Sequence, residues 1–242
     1  MADVLYGGEQ DTDCPSQING LWADCEMQTI TGFNALGRWT YWADDFFDLP
    51  TARYTATQAT AGTFALDDAV GGIALADCGS TTAGQGINVQ AAGTTGEIFK
   101  PAANKDIIFE ARVRLTANAT GPRFFLGLAQ HDTSLIASAL LTSQCIGFGS
   151  LTDDSVIIGH SKDGSSASTA TSIQTAVAST WYKLGFRVIG TSTVKFYVDG
   201  VYKNSLSTYI PTTEMKFTLV CQTGGTTQPV AAIDWVRIAQ RR

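Results

Sequence analysis

Apolar and polar residues alternate with period two through much of the second half of the chain, most clearly between Trp181 and Val201. Tyr182, Leu184, Phe186 and Val188 fall on one side of an extended segment, while Lys183, Gly185 and Arg187 fall on the other. After a short polar turn, Val194, Phe196 and Val198 alternate with Lys195, Tyr197 and Asp199. Alternation of this kind marks antiparallel strands with one face in a core. Asp199-Gly200 then supplies two residues that tolerate left-handed backbone, so a tight turn into Val201-Tyr202 is expected.

The pattern continues to either side. Ile107, Phe109, Ala111, Val113 and Leu115 alternate with Glu110, Arg112 and Arg114. Further strands are expected over 123–129, 144–149, 155–160, 214–221 and 231–238, with Trp235 of the last one in the core. Upstream, 54–61, 64–66, 71–76 and 87–90 read as shorter strands broken by Gly and Thr turns. The segment 134–142 reads as a helical turn or a loop, and 162–166 as a polar loop. Short strands at intervals of about ten residues predict an all-β fold, a two-sheet antiparallel sandwich of jelly-roll type. Residues 1–45 lack clean alternation and read as an irregular N-terminal arm, followed by one domain over 46–242.

Composition sharpens this. Charged residues make up 16% of the chain, against about a quarter in an average globular protein. Few solvated charged faces suit a protein packed against other subunits. The net charge of −6 argues against nucleic acid as a partner, which needs clustered Lys and Arg. No basic stripe is visible along the chain, and Arg112, Arg114 and Arg123 read as a solvated sheet face. No apolar run approaches the ~18 residues of a membrane span. The opening residues carry neither a cationic nor an apolar signal region, so a secretory signal is not expected. Five cysteines without a CxxC then imply free thiols made in a reducing cytoplasm. Asn118-Ala-Thr120 is a formal sequon without consequence there.

At this point the chain resembles a family. Trp181-Tyr-Lys-Leu with Val194-Lys-Phe-Tyr-Val-Asp-Gly is similar to the recurrent hairpin of concanavalin A-like lectin/glucanase jelly rolls, including laminin-G-like modules. The segment Ala232-Ile-Asp-Trp-Val-Arg-Ile resembles the last strand of laminarinase-type glucanases. The opening Met-Ala-Asp-Val-Leu-Tyr-Gly-Gly-Glu resembles tailed-phage virion proteins that carry this jelly roll.

The resemblance implies an activity only if the residues for it are present. A glucanase needs two carboxylates flanking the scissile bond, and the resembled type sets them on one strand as Glu-x-Asp-x-x-Glu. The five glutamates, Glu9, Glu26, Glu97, Glu110 and Glu214, show no such spacing. The chain is therefore expected not to be an enzyme, with an inactive or divergent glucanase as the third reading. No Gly-x-Ser-x-Gly elbow joins His131 or His160 to a nucleophile. The pairs Asp44-Asp45, Asp67-Asp68 and Asp153-Asp154 read first as turn formers. Calcium stays open at one of them, and no cofactor is otherwise expected.

One aromatic cluster remains, Trp39, Tyr41, Trp42, Phe46 and Phe47, just before the sandwich. It can plug one end of the core, anchor a neighbouring subunit, or stack on sugar rings. These five are the candidate interaction residues. The first functional reading is a virion structural protein, a capsid decoration protein that bridges capsomers through its arm and loops. Its partners would be the major capsid protein or other virion proteins, with a homo-oligomer open. The alternative is a carbohydrate-binding module of a tail or head fibre that contacts host glycans.

Overall fold

The computed structural model describes Leu21 and residues 39–242, apart from 51, 60, 68–71, 93–97, 117–121, 138–139, 153–154, 165 and 226. The rest of the arm, Cys14, Cys25, Glu9, Glu26, Glu97, Asp68, the sequon at 118–120 and the Asp153-Asp154 pair lie outside the described residues. No described residue is helical, so no helix is long and apolar enough to cross a membrane.

The strands in chain order begin with β1 (Trp39–Asp44), β2 (Tyr54–Ala59), β3 (Thr63–Leu66), β4 (Ala74–Asp77), β5 (Gly86–Ala91) and β6 (Ile107–Leu115). Next come β7 (Pro122–Ala129), β8 (Ile136–Ala137), β9 (Leu140–Leu141), β10 (Cys145–Ser150), β11 (Val156–Asp163) and β12 (Ser166–Thr175). The last are β13 (Trp181–Ile189), β14 (Thr193–Val198), β15 (Val201–Leu206), β16 (Lys216–Thr223) and β17 (Val230–Arg241). Sheet A runs β15-β14-β13-β6-β17-β4-β3, with β1 sharing the β4 side of the long strand β17. Sheet B runs β12-β11-β10-β7-β16-β5-β2. All pairings are antiparallel, and the crossovers between sheets make a jelly-roll sandwich.

The core lies where the inward halves of the alternating strands meet. Tyr182, Leu184, Phe186 and Val188 of β13 and Val194, Phe196 and Val198 of β14 all enter it, as do the five apolar positions of β6. Phe109 stacks on Phe186 with centroids 4.8 Å apart, and Phe148 of the opposite sheet meets Phe196 edge-on at 5.2 Å. Each buried ring removes apolar surface worth about 2–3 kcal/mol from water. The β14–β15 turn takes the expected backbone, with φ of 50° at Asp199 and 78° at Gly200.

Several sequence expectations change. The segment 134–142 is neither helix nor open loop but carries the small β8–β9 hairpin. Strand β12 was not expected. It is an edge strand of Ser, Thr and Ala, so it lacks the apolar alternation that reveals its neighbours. Trp39–Asp44 forms a regular strand, paired from Trp39↔Arg241 to Asp44↔Val236. Trp235 is not in the core. A bulge between Ile233 and Trp235 inserts one residue in β17, so Trp235 leaves the inward set while Ile233, Val236 and Ile238 keep it.

Candidate functional site

The structure separates the five candidate aromatics. Phe46 is fully buried at a left-handed backbone position, stacked on Tyr54 at 5.9 Å and edge-on to Phe64 at 6.4 Å. Trp39 is buried on the outer face of sheet A beside Leu21, Ile108, Tyr197 and Ala239. Trp42 is half-buried against the core, stacked on Phe217 at 5.4 Å. Tyr41 is 38% exposed and Phe47 is 75% exposed. Alternation within β1 and the turn after it therefore send neighbouring rings to different places.

Asp44 organises this end of the sandwich. Its carboxylate accepts hydrogen bonds from the Phe46 amide at 2.8 Å and from the Tyr54 hydroxyl, and it pairs with Arg53 Nε at 3.1 Å. Burial first, and then Asp44, push the Tyr54 phenol far up from its usual range. Arg53 also donates to the Ala43 carbonyl at 2.7 Å and sits 5.9 Å from the Trp42 ring. Beside them opens a cleft of about 250 Å³ whose lining includes Trp42, Arg53, Ile98, Phe99, Lys216 and Phe217. A ring, an aliphatic floor and two cations can hold a small ligand with an apolar face and an anionic group.

The outer face of sheet B is covered. Asn88, Gln90, Phe125, Cys145, Thr218 and Val220 point away from the core, yet all are buried. Phe125, Ala129, Cys145 and Val220 form a second apolar cluster with Leu135, Ile136 and Leu141 of the β8–β9 segment. Asp132 anchors that segment. Its carboxylate accepts from the Ser134 amide at 2.8 Å, the Thr142 hydroxyl at 2.6 Å and the Ser143 hydroxyl. Burial alone would raise its pKa, but the bonds from Ser143, Thr142 and Ser134 and the nearby His131 outweigh it and hold it below the usual carboxylate range. His160 is buried on the same sheet, and desolvation lowers its pKa to about 4 against a hydrogen bond with Gly149. Glu110 and Glu214, the described glutamates, do not come from sheet B, whose strands carry one carboxylate, Asp163 at the end of β11. Among the described residues no group of three or more His, Cys, Asp or Glu could hold a metal ion.

The outer face of sheet A carries a group that the sequence did not reveal. Arg112 and Arg114 lie 4.7 and 4.8 Å from the Trp181 ring, and Arg237 lies 4.6 Å from the Trp235 ring. Register brings them together: Arg114 faces Trp181, and Arg112 lies between Lys183 and Trp235. In the sequence they are scattered over three strands, Arg112 and Arg114 on β6, Trp181 on β13, and Trp235 and Arg237 on β17. Only strand order, and the bulge that turns Trp235 outward, assembles the group.

No protein-family model and no curated protein matches the chain. Solved structures do. The β-glucanase of Bacillus licheniformis superposes with a TM-score of 0.58 at 14% identity, over 82% of this chain and 97% of its own. The endo-1,3-β-glucanase of Streptomyces sioyaensis gives 0.57 at 14% identity, over 84% and 96%. Peanut lectin gives 0.57 at 10% identity, over 84% and 97%. The expectation that the chain is not an enzyme is corrected by these neighbours, because the glucanases among them are enzymes on this scaffold. The two large antiparallel sheets and these superpositions together identify the fold as the concanavalin A-like lectin/glucanase jelly roll.

Proposed function

We propose that this chain is a structural protein of a tailed-phage virion, acting as a capsid decoration protein. The observation that carries the reading is the covered outer face of sheet B, where the β8–β9 segment packs on Phe125, Cys145 and Val220. A sandwich that seals a broad face with its own chain makes its contacts through edges, loops and termini. Exposed apolar residues there, Phe47, Leu140, Val201 and Tyr202, suit adhesion to neighbouring subunits. The opening residues, similar to those of phage virion proteins, support the same reading. Many weak contacts per particle would add through avidity. Cryo-electron microscopy of intact particles tests this. Hundreds of copies on the head support decoration, and a few copies at the tail tip overturn it.

A second reading is a carbohydrate-binding module of a fibre. The cleft beside Trp42 and Arg53 favours it, as does the fold shared with a lectin and with glucanases. A glycan array on the purified chain tests it: saturable binding that Trp42→Ala abolishes supports the module, and a blank array sinks it.

A further inference from the structure

Two indoles on the outer face of sheet A back a set of arginines. The guanidinium groups of Arg112 and Arg114 lie over the Trp181 ring at 4.7 and 4.8 Å, and that of Arg237 lies over Trp235 at 4.6 Å. A guanidinium over an indole is attracted by the ring, so its planar fork is aimed before a ligand arrives. The three arginines differ in what they already hold. Arg112 is paired with Asp234. Arg114 and Arg237 make no ion pair with a described carboxylate, and Arg114 Nε is buried without a hydrogen-bond partner. Lys183 and Glu110 share this face and have interactions of their own. The unmatched cations of the group are therefore Arg114 and Arg237.

Register sets how far apart these two stand. Arg237 lies opposite Glu110, four positions before Arg114 on β6, so their Cα atoms are about 14 Å apart. Their rings hold them on opposite sides of β6, Trp181 on β13 and Trp235 on β17. One small anion does not bridge them, whereas two carboxylates on a larger surface do. Dense polyanions match this spacing poorly, since duplex DNA carries a charge about every 1.7 Å, and the chain as a whole is net −6. Bases stack on open aromatic faces, and a sugar ring needs the same face. Here guanidinium groups already lie over both indoles. Strand addition is excluded too, because β13, β6 and β17 each have hydrogen-bonded neighbours on both sides. A second copy presenting the same face would set one positive surplus against another. The chemistry that fits is a set of separated carboxylates on an apolar background, which an acidic protein surface offers.

We propose that the outer face of sheet A around Trp181 and Trp235 docks an acidic surface of a different protein, with Arg114 and Arg237 each taking a carboxylate. Trp and Arg are the side chains that most often carry the binding energy of a protein interface. A carboxylate that meets a guanidinium held on a ring finds its fork formed, and the arriving surface excludes water from ring and ion pair together. The proposal depends on neither functional reading above, and the cleft at Trp42 is no part of it.

Titration of the full chain with poly-L-glutamate, followed through the indole N–H signals by heteronuclear NMR, tests it. The Trp181 and Trp235 signals, identified with Trp181→Phe and Trp235→Phe, are expected to shift and saturate, while those of Trp39 and Trp42 stay in place. The pair Arg114→Gln, Arg237→Gln is expected to weaken binding about tenfold, the loss of two exposed charge contacts. The pair Arg114→Lys, Arg237→Lys keeps the charge but not the fork, and is expected to keep only part of the affinity. Signals of Trp181 and Trp235 that do not move overturn the proposal, as does full affinity in the glutamine pair or in the lysine pair. Equal or tighter binding of polygalacturonate, or of single-stranded DNA, overturns it in favour of a glycan or a nucleic acid. Movement of the same two signals with protein concentration alone overturns the different partner in favour of a second copy. The wild-type titrations decide the matter even if a variant fails to fold.

Discussion

Asn88 of β5 donates through Nδ2 to the backbone carbonyl of Asp132, 2.7 Å away, and so ties the β8–β9 segment to the face of sheet B. The next outward residue of β5 completes the clasp. Gln90 accepts from the Asp132 amide at 3.0 Å and donates to the Gln130 carbonyl at 3.1 Å. Two amide side chains on one strand thus satisfy backbone groups that the segment would bury unpaired. Removing the Asp132 carboxylate should take the acceptor from the Ser134 amide and the Ser143 hydroxyl, while the Thr142 hydroxyl keeps the Ser134 and Leu135 carbonyls at 3.1 and 3.0 Å. Asp132→Ala is expected to cost about 1–3 kcal/mol, measured by urea denaturation. Hydrogen exchange should rise across 130–144 before it rises in β7 or β10. Uniform loss of protection would show that the segment is not a separate unit.

Two groups make stability depend on pH in the same direction. His160 titrates near 4 in the folded protein because burial opposes its charged form, against about 6.5 when unfolded. Between those values the unfolded chain binds the extra proton, so stability is complete above about pH 6.5 and declines as pH falls towards 4. The decline attributable to His160 is about 3 kcal/mol. Asp132 has a lowered folded pKa, so its contribution is present above the ordinary carboxylate range and disappears as pH falls through the folded value. Denaturation midpoints from pH 8 to 3 should show both effects, and His160→Gln should flatten only the upper part. An unchanged upper limb in that variant would refute the assignment.

Much of the sandwich is legible because β6, β13 and β14 each have one apolar and one polar face, and period-two alternation reports that directly. Strand β12 escapes because an edge of Ser, Thr and Ala has little apolar contrast. Trp235 is misassigned because a bulge changes the parity of β17, and nothing local marks it. The aromatic cluster was visible as composition, yet its division into the buried Phe46, half-buried Trp42 and exposed Phe47 depends on one strand and one left-handed residue. The basic face of sheet A was illegible for a different reason. Its arginines belong to strands separated by more than a hundred positions, and strand order alone makes them neighbours.

The described cysteines should be chemically silent. Cys78, Cys145 and Cys221 are free and buried, and burial is the first cause that pushes each thiol above its ordinary range. Nucleophilic attack needs an accessible thiolate. Under native conditions at pH 8, mass spectrometry after brief alkylation should find these three unmodified, and all three should react in denaturant. Rapid native labelling of Cys145 would mean that the β8–β9 segment opens readily, since Cys145 lies within the cluster it covers.

Phe46 and Phe47 are adjacent in sequence and should behave as opposites. Phe46 fills the space between Tyr54 and Phe64 with no exposed surface. Truncating it removes a buried ring and leaves a cavity, at a cost of about 3–5 kcal/mol for Phe46→Ala. At this size the melting temperature should fall by about 10 °C. Its φ of 51° is strained for a residue with a Cβ, so Phe46→Gly should destabilise less than the missing ring alone predicts. Phe47 is 75% exposed, and Phe47→Ala should change stability by no more than about 0.5 kcal/mol. If this end of the sandwich meets a capsid or fibre partner, the same variant should weaken that association while leaving the melting curve in place. A large stability loss at Phe47, or none at Phe46, would reverse the assignment of the two rings.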